Sequence, residues 1–591
     1  VALLLCFWAI GPLNYSGHGY DGWDKPVWLK QGWTRGESSE FYLKNQGSEL
    51  IPFEWFLHLE QADSKKPFRS PENMVALGFI PQPKSRENPY ELPIGFILDD
   101  NPKTVEIDIS VKISSIDPKY RDHYPKTEKW LGLNCASCHT ADITYKNTAI
   151  RIDGGPAMVD HESFLAQLAK AMRATCKDPE KLKRFRKANA GPDGQWDTST
   201  LEAELNVYTA LMEELVKTNQ AKHPYGFARL DAFGAILNEI TVAALGIPEN
   251  HQVSDAPVSF PYLWYAPSLD YVQWNRSADN AIARNVGEVL GVFGHLQLQG
   301  TPATGQFRST ARMQSLDRLE QLISTLKAPE WPEEILGKID TGKAARGATL
   351  YAQNCATCHS SRDAQGKYPM TEPNAAKVQF IKTRSSPPEV IGTDPKMVKN
   401  FLLRTANPGV LKPYLSPEDQ AKDKVPAGVV LRAAVGGVIK RFVNESTPKL
   451  DEQQMLALAG GHIQDPAAPP NIPSGYIARP LHGIWATAPY LHNGSVPNLY
   501  QLLLPEGQRM KSFFVGSREF DPKNVGFLTT QDKERSFKFE TETADGQPIP
   551  GNSNRGHSGP MHTQTKRENG KFEDFSDDER WDLIEYLKTL K

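Results

Sequence analysis

Apolar residues along this chain fall into a few helix-spaced windows separated by long polar connections. FEWFLHLEQ places Phe53, Phe56 and Leu57 on one face and predicts a short helix. Phe164, Leu165, Leu168 and Met172 recur at helical spacing over about 160–176, and longer helices are predicted over 200–219 and 229–245. ITYKNTAIRIDGG reads as a hairpin. Later, Asp340 or Thr341 caps a helix in which Gly347 and Leu350 or Tyr351 lie one turn apart. At the end, Ser576 and Glu579 form a capping box before a stripe of Trp581, Ile584, Leu587 and Leu590, which predicts a terminal helix crossing the one after Asp340. The polar stretches 361–395 and 410–428 read as surface loops. These patterns divide the chain into an apolar segment (1–12), an N-terminal wrapping region (13–115), a first unit (116–335) and a second (336–591).

The length allows two to four domains with room for buried cores. Net charge is only -3 with both signs interspersed, which gives nucleic acid no basic face. Mean hydropathy of -0.49 indicates a soluble body, and 45 Pro with 44 Gly imply long irregular connections. VALLLCFWAIGP is too short to span a bilayer and reads as the apolar part of an export signal, with a membrane anchor or an arm packed on the protein as alternatives.

The chain holds six cysteines, and four of them sit in two copies of one pattern: NCASCHT at 134–140 and NCATCHS at 354–360. Cys-x-x-Cys-His is the attachment signature of haem c: two thiols reach the two vinyl groups of a porphyrin and the adjacent histidine becomes the proximal iron ligand. Zinc would need a second ligand pair at finger or ribbon spacing and leaves both histidines unexplained. A thioredoxin-like dithiol needs a βαβ context, whereas LYAQNCATCH reads as a helix running into its motif. We therefore expect two covalent haems, on Cys135, Cys138 and His139 and on Cys355, Cys358 and His359. Such a protein belongs outside the reducing cytosol, in the periplasm or beyond it. Cys6 and Cys176 are unassigned thiols.

Two such motifs about 220 residues apart, joined to RPLHGIWATAPYLHNGSVPNL at 479–499, resemble the bacterial dihaem cytochrome c peroxidase superfamily from about residue 120 to the end. The long N-terminal region and the insertions depart from the small peroxidases. NQGSELIPFEWFLHLEQ, VQWNRSADNAIARNVGEVLGVFG and FFVGSREFDPKNVGF are similar to the large dihaem oxygenases, the rubber oxygenases and fatty-acid dioxygenases. The resemblance implies a mainly α protein with two cytochrome c-like haem domains, long loops, short β-hairpins and an N-terminal extension. It implies dioxygen chemistry at the first haem, around His139, and an auxiliary second haem.

A peroxidase needs an acid/base group over the iron, usually His or Glu, whereas the oxygenases are expected to present apolar residues there. The first histidine downstream, His161, falls on the polar N-terminal turn of its helix and reads as a solvated or capping residue before a distal one. SFPYLWYAPSLDYVQW packs six aromatics into sixteen residues, as a core or domain interface. By resemblance Trp274 is the candidate relay between the haems, with Trp264 in reserve. Arg284 and Arg479 are candidates for haem propionates, or else for surface salt bridges. For the sixth ligand of the second haem, the resemblance directs attention past His492 to a position about fourteen residues on, which here is Glu506, a poor ligand, with Met510 the nearest substitute. His557, on a Gly-rich loop before the terminal helix, is preferred to His492, with Met510 and His562 behind. A structural calcium is a further cofactor expectation.

The function expected is an exported dioxygenase acting on an apolar unsaturated substrate, a fatty acid or polyisoprene. Reduction of hydrogen peroxide, with a small cytochrome as electron donor, is the alternative, and a non-enzymatic electron carrier the second.

Overall fold

The first Cys-x-x-Cys-His motif is held between two small sheets, and the N-terminal region supplies strands to both. The computed structural model describes residues 26–102, 123–125, 127–191, 197–363, 365–463, 475–532, 535–560 and 562–591. The apolar segment 1–12 and Cys6 lie outside them. β1 (Val27–Trp28), α1 (Arg35–Leu43), β2 (Ile51–Pro52), α2 (Phe53–His58) and β3 (Phe96–Asp99) precede the motif. β4 (Trp130–Leu133) runs antiparallel between β2 and β3, with Leu131 opposite both Ile51 and Leu98. Every residue of β4 is buried, as expected of a strand covered on both faces. The motif follows as a single helical turn, α3 (Cys135–Cys138), capped by the Asn134 side chain on Ala136 N. The Asn134 amide also donates to the Phe41 and Lys44 carbonyls at the end of α1. Beyond it, β5 (Thr140–Tyr145) and β6 (Thr148–Asp153) form the expected hairpin, and β1 pairs in parallel with β6.

The remainder mixes shorter helices and several two-stranded sheets with α4 (His161–Lys177), α5 (Leu201–Asn219), α6 (Ala281–Gly291), α7 (Met313–Thr325), α8 (Thr341–Asn354), α9 (Ala427–Glu445) and α10 (Asp577–Lys588). Helix accounts for 39% of the described residues and strand for 14%, so helix dominates. α4 packs on α5, and α6 packs on both α7 and α9. The helix expected over 229–245 begins only at Ala232, where Asp231 caps Gly234 N, and it widens into a π-helical turn over Glu239–Ala244. In α2 the buried face is Phe53, Trp55 and Phe56, with Leu57 only partly covered.

One sequence expectation changes. The stretch 410–428 is not a surface loop throughout: Leu411 and Val425 are fully buried, in one apolar cluster with Val286 and Val289 of α6 and Val430 of α9. The two units therefore share a core across residue 335. Spacing along a Pro-rich segment does not reveal this, because its apolar side chains are buried by a distant helix. The segment 361–395 is mostly exposed, as expected.

α8 and α10 meet at Gly347, where an added Cβ would lie 2.0 Å from the Asp582 carbonyl oxygen. Arg346 donates to the Asp582 carboxylate beside it. Asp340 caps α8 and the Ser576/Glu579 box caps α10, as the sequence indicates. We predict that Gly347→Ala forces these helices apart at a cost of about 1–3 kcal/mol. A thermal midpoint within experimental error of the parent would contradict the close crossing.

Candidate haem-binding sites

Each motif histidine faces a backbone carbonyl contributed from far along the chain. His139 Nδ1 lies 2.7 Å from Pro261 O, and His359 Nδ1 lies 2.8 Å from Arg479 O. Only a donor can face a carbonyl, so each Nδ1 carries the proton and each Nε2 keeps a lone pair for a metal. Burial holds both imidazoles neutral, His139 down to about 4. Burial likewise pushes the Cys138 and Cys355 thiols up to about 12 and Cys135 well above its ordinary value. These are not the acidic thiols of a redox motif, which need a lowered pKa. Five cysteines fall among the described residues, Cys176 included, and none is in a disulfide.

The second site has an imidazole opposite its own. The His359 and His557 ring centroids are 6.4 Å apart and tilted by 31°. An imidazole nitrogen bonds a first-row metal at about 2.0–2.1 Å, so two rings on opposite sides of one ion have centroids about 6.3 Å apart. His557 rides a loop with φ of +91° at Gly556, where a Cβ would lie 2.7 Å from Thr393 N, and +46° at His557 itself. Arg509 holds that loop. Its guanidinium donates to the carbonyls of Asn554, Gly556 and His557 and, on the other side, of Leu502 and Leu504. Glu506 accepts from Gly556 N, so the position expected to carry a ligand in small peroxidases here braces the loop that carries His557.

The other nominees are placed differently. His492 is buried, stacked on Tyr476 at 3.9 Å, and its carbonyl accepts from Ser259 N. Met510 is on the surface. His562 lies beside His557, at 5.4 Å, and is half-buried.

At the first site, His161 corrects an expectation. It is neither solvated nor the cap: Asp160 caps α4, while His161 is 6% exposed with Nε2 3.1 Å from Cys138 Sγ. Its ring, like that of His139, meets Phe260 edge-on. The run 149–161 that feeds α4 is buried throughout, so the helix starts inside the protein. Arg284 forms a buried ion pair with Glu320 on α7 rather than a surface bridge. Trp264 is fully buried, stacks on Tyr262 and donates to His482 O. Trp274 is partly buried and donates to Ser259 O, in a different cluster.

Arg479 tests whether these residues suit a porphyrin. It is buried, and its Nε and Nη2 have no hydrogen-bond partner among the described residues. A guanidinium so placed calls for an anionic group, which a haem propionate supplies. The donor set therefore fits haem at both motifs. For calcium there is less: among the described residues no three or more His, Cys, Asp or Glu side chains gather as a metal cluster.

The first site also contains residues that carry no sequence signal of their own. Glu288 accepts from Gln273, and burial raises its pKa; its charge in turn raises the Cys135 and Cys138 thiols. It lies within a segment quoted for resemblance, yet nothing in its spacing marks it. Beside Cys138 and His161 opens a mainly apolar cavity of about 400 Å3, walled by Leu165 of α4, by Tyr208, Met212 and Leu215 of α5, and by Phe293.

The chain matches the cytochrome c family over residues 344–424 and the RoxA-like, cytochrome c-like family over residues 475–514. The first match contains the second motif, so covalently bound haem c is implied there. The chain is 33% identical over 601 residues to a protein of Sinorhizobium fredii (strain NBRC 101917 / NGR234) named Uncharacterized protein y4iJ, covering 96% of this chain and 94% of that protein. Uncharacterized protein y4iM of the same strain is 27% identical over 338 residues, covering 56% of this chain and 63% of its own length.

Three buried histidines set an acid limit on stability. Burial lowers His161 and His482 to about 4 and His492 to about 3. Their unfolded-state pKa is about 6.5, so between about pH 6.5 and 4 the unfolded chain binds more protons than the folded one. Stability is full above that window and falls with pH by up to roughly 1.4 kcal/mol per pH unit for each histidine. We predict a lower urea midpoint at pH 5 than at pH 7; equal midpoints would show that these side chains do not stay neutral and buried.

Proposed function

We propose that this chain, which belongs to the same family as the Sinorhizobium fredii protein y4iJ and carries a RoxA-like, cytochrome c-like domain, is an exported oxidoreductase with two haem c groups whose first haem oxygenates an apolar unsaturated substrate. The observation that carries this reading is the asymmetry of the two sites. Opposite His359 stands His557 at the spacing of two imidazoles on one metal, whereas the first motif borders an apolar cavity. A site closed by two strong ligands relays electrons or holds structure, and an open one admits a reactant. Haem iron bound through His139 would supply the centre at which dioxygen is activated.

The chain's own residues do the rest. Pro261 O fixes the His139 tautomer and ring plane. The walls from α4 and α5 exclude water and align an extended hydrocarbon, and the volume suits a fatty acid or a stretch of polyisoprene. Arg479 would hold a haem propionate. Export accords with covalent haem attachment; no described helix is long and apolar enough to cross a membrane.

Reduction of hydrogen peroxide with a cytochrome donor is the second reading, favoured by Glu288, a partly buried carboxyl near the first pair of cysteines that holds its proton more tightly than an exposed one. Such a group can move a proton between peroxide oxygens.

Absorption spectra with imidazole, peroxide and oleate added in turn separate these. We predict that imidazole perturbs only the first haem, and that oxygen is consumed with oleate or polyisoprene without added reductant. His139→Ala should abolish this while sparing the second haem's spectrum. Peroxide turnover with a reduced cytochrome, lost in Glu288→Gln, would replace the oxygenase reading. For the second haem, His557→Ala should convert its low-spin electron-paramagnetic-resonance signal to high spin and His492→Ala should not; the reverse pattern would show that His492 is the ligand.

A further inference from the structure

The carbonyls that receive the two motif histidines are joined to each other. Pro261, which accepts from His139, is followed by Tyr262, whose ring lies 3.9 Å from the Arg479 guanidinium carbon. Arg479 is the residue whose carbonyl accepts from His359. The Tyr262 hydroxyl donates to Pro480 O, fixing the segment next to Arg479, and Trp264 stacks on the Tyr262 ring at 4.7 Å and 22°. The path from one histidine to the other thus crosses two hydrogen bonds and a single cation–π contact.

Its surroundings make the contact consequential. Tyr262 and Arg479 are 5% and 7% exposed, so bulk water screens them little. No carboxylate among the described residues forms a salt bridge with Arg479. Its guanidinium reaches the first site through the Tyr262 ring, next to the carbonyl that receives His139, while its own backbone carbonyl sets the hydrogen bond that tunes the basicity of His359.

We propose that Tyr262 and Arg479 form a proximal bridge through which the charge or ligand state of the first haem site is felt at the second. This rests on the two-haem reading above. A change in charge at the first site alters the pull on the Arg479 guanidinium, and the same residue passes it on as a change in the Nδ1–H···O bond of His359. Tyr262 and Arg479 are positioning residues here: they act through the histidines and touch no substrate. Trp264 backs the ring, and Trp274, in its separate cluster, lies off this path.

The experiment is a spectroscopic redox titration of the full-length dihaem protein, with and without cyanide on the first haem, after a pyridine haemochrome assay has counted haems per chain. A count of one would refute the two-haem reading itself. With two haems, cyanide should shift the midpoint potential of the second haem in the parent protein. That shift should vanish in Arg479→Gln and Tyr262→Leu, both of which retain the two accepting carbonyls, and should persist in Tyr262→Phe and Arg479→Lys, which keep the ring and the charge. Unchanged haem content and an unchanged low-spin signal in Tyr262→Leu guard against misfolding, and that variant decides the test, because Arg479→Gln also removes the group assigned to a propionate. No shift in the parent, or a shift that survives in Arg479→Gln and Tyr262→Leu, would overturn the bridge, and loss of the shift only in Trp274→Phe would reassign the coupling to that tryptophan.

Discussion

A hydrogen bond from a buried imidazole to a main-chain carbonyl, made twice, is the constraint around which this molecule is arranged. His139 and His359 each donate Nδ1–H to a carbonyl 122 and 120 residues downstream. A motif of five residues can attach a porphyrin, but it cannot orient its own histidine. The acceptor must come from elsewhere, and it must be held still. Tyr262, Trp264 and Arg479 hold those two acceptors in one buried layer, so the sites are built on shared support rather than as two independent modules.

The same economy explains the N-terminal region. β2 and β3 flank the strand that enters the first motif, and β1 pairs with the hairpin that leaves it. Asp153 on that hairpin accepts from Ser38 and Tyr42 of α1, while its backbone exchanges hydrogen bonds with the Gln31 side chain. Long-range pairing of this kind ties a short irregular turn into a rigid body, which a metal ligand requires. At the second site Arg509 does the equivalent work on a loop: five donors meet five carbonyls, and a histidine in left-handed backbone conformation is kept in place without a strand or helix of its own.

The difference between the two sites is then a difference in what lies across from each histidine. One has His557 at the distance of a paired ligand; the other borders a cavity lined by apolar and polar residues of α4 and α5. Leu165 and Met212 belong to helices whose remaining apolar residues fill the core, so a stripe of helical spacing serves packing and cavity wall at once.

The amino-acid sequence by itself determined whatever depends on neighbours a few positions apart: the two attachment motifs, the hairpin over 140–153, the caps at Asp340 and Ser576, and the apolar stripes of α4, α8 and α10. Helical and strand periodicity, capping chemistry and a fixed ligand spacing are local, and so they are legible in one dimension. Glu288, Tyr262 and Arg509 follow no such spacing, and neither did the burial of His161, which depends on a feeding segment covered by other elements, or of Leu411 and Val425, which lie against α6. Which carbonyl each histidine meets, which histidine faces His359 and which site opens to a cavity were decided only by tertiary structure, because each is a contact between segments tens to hundreds of residues apart whose partners leave no mark in each other's sequence.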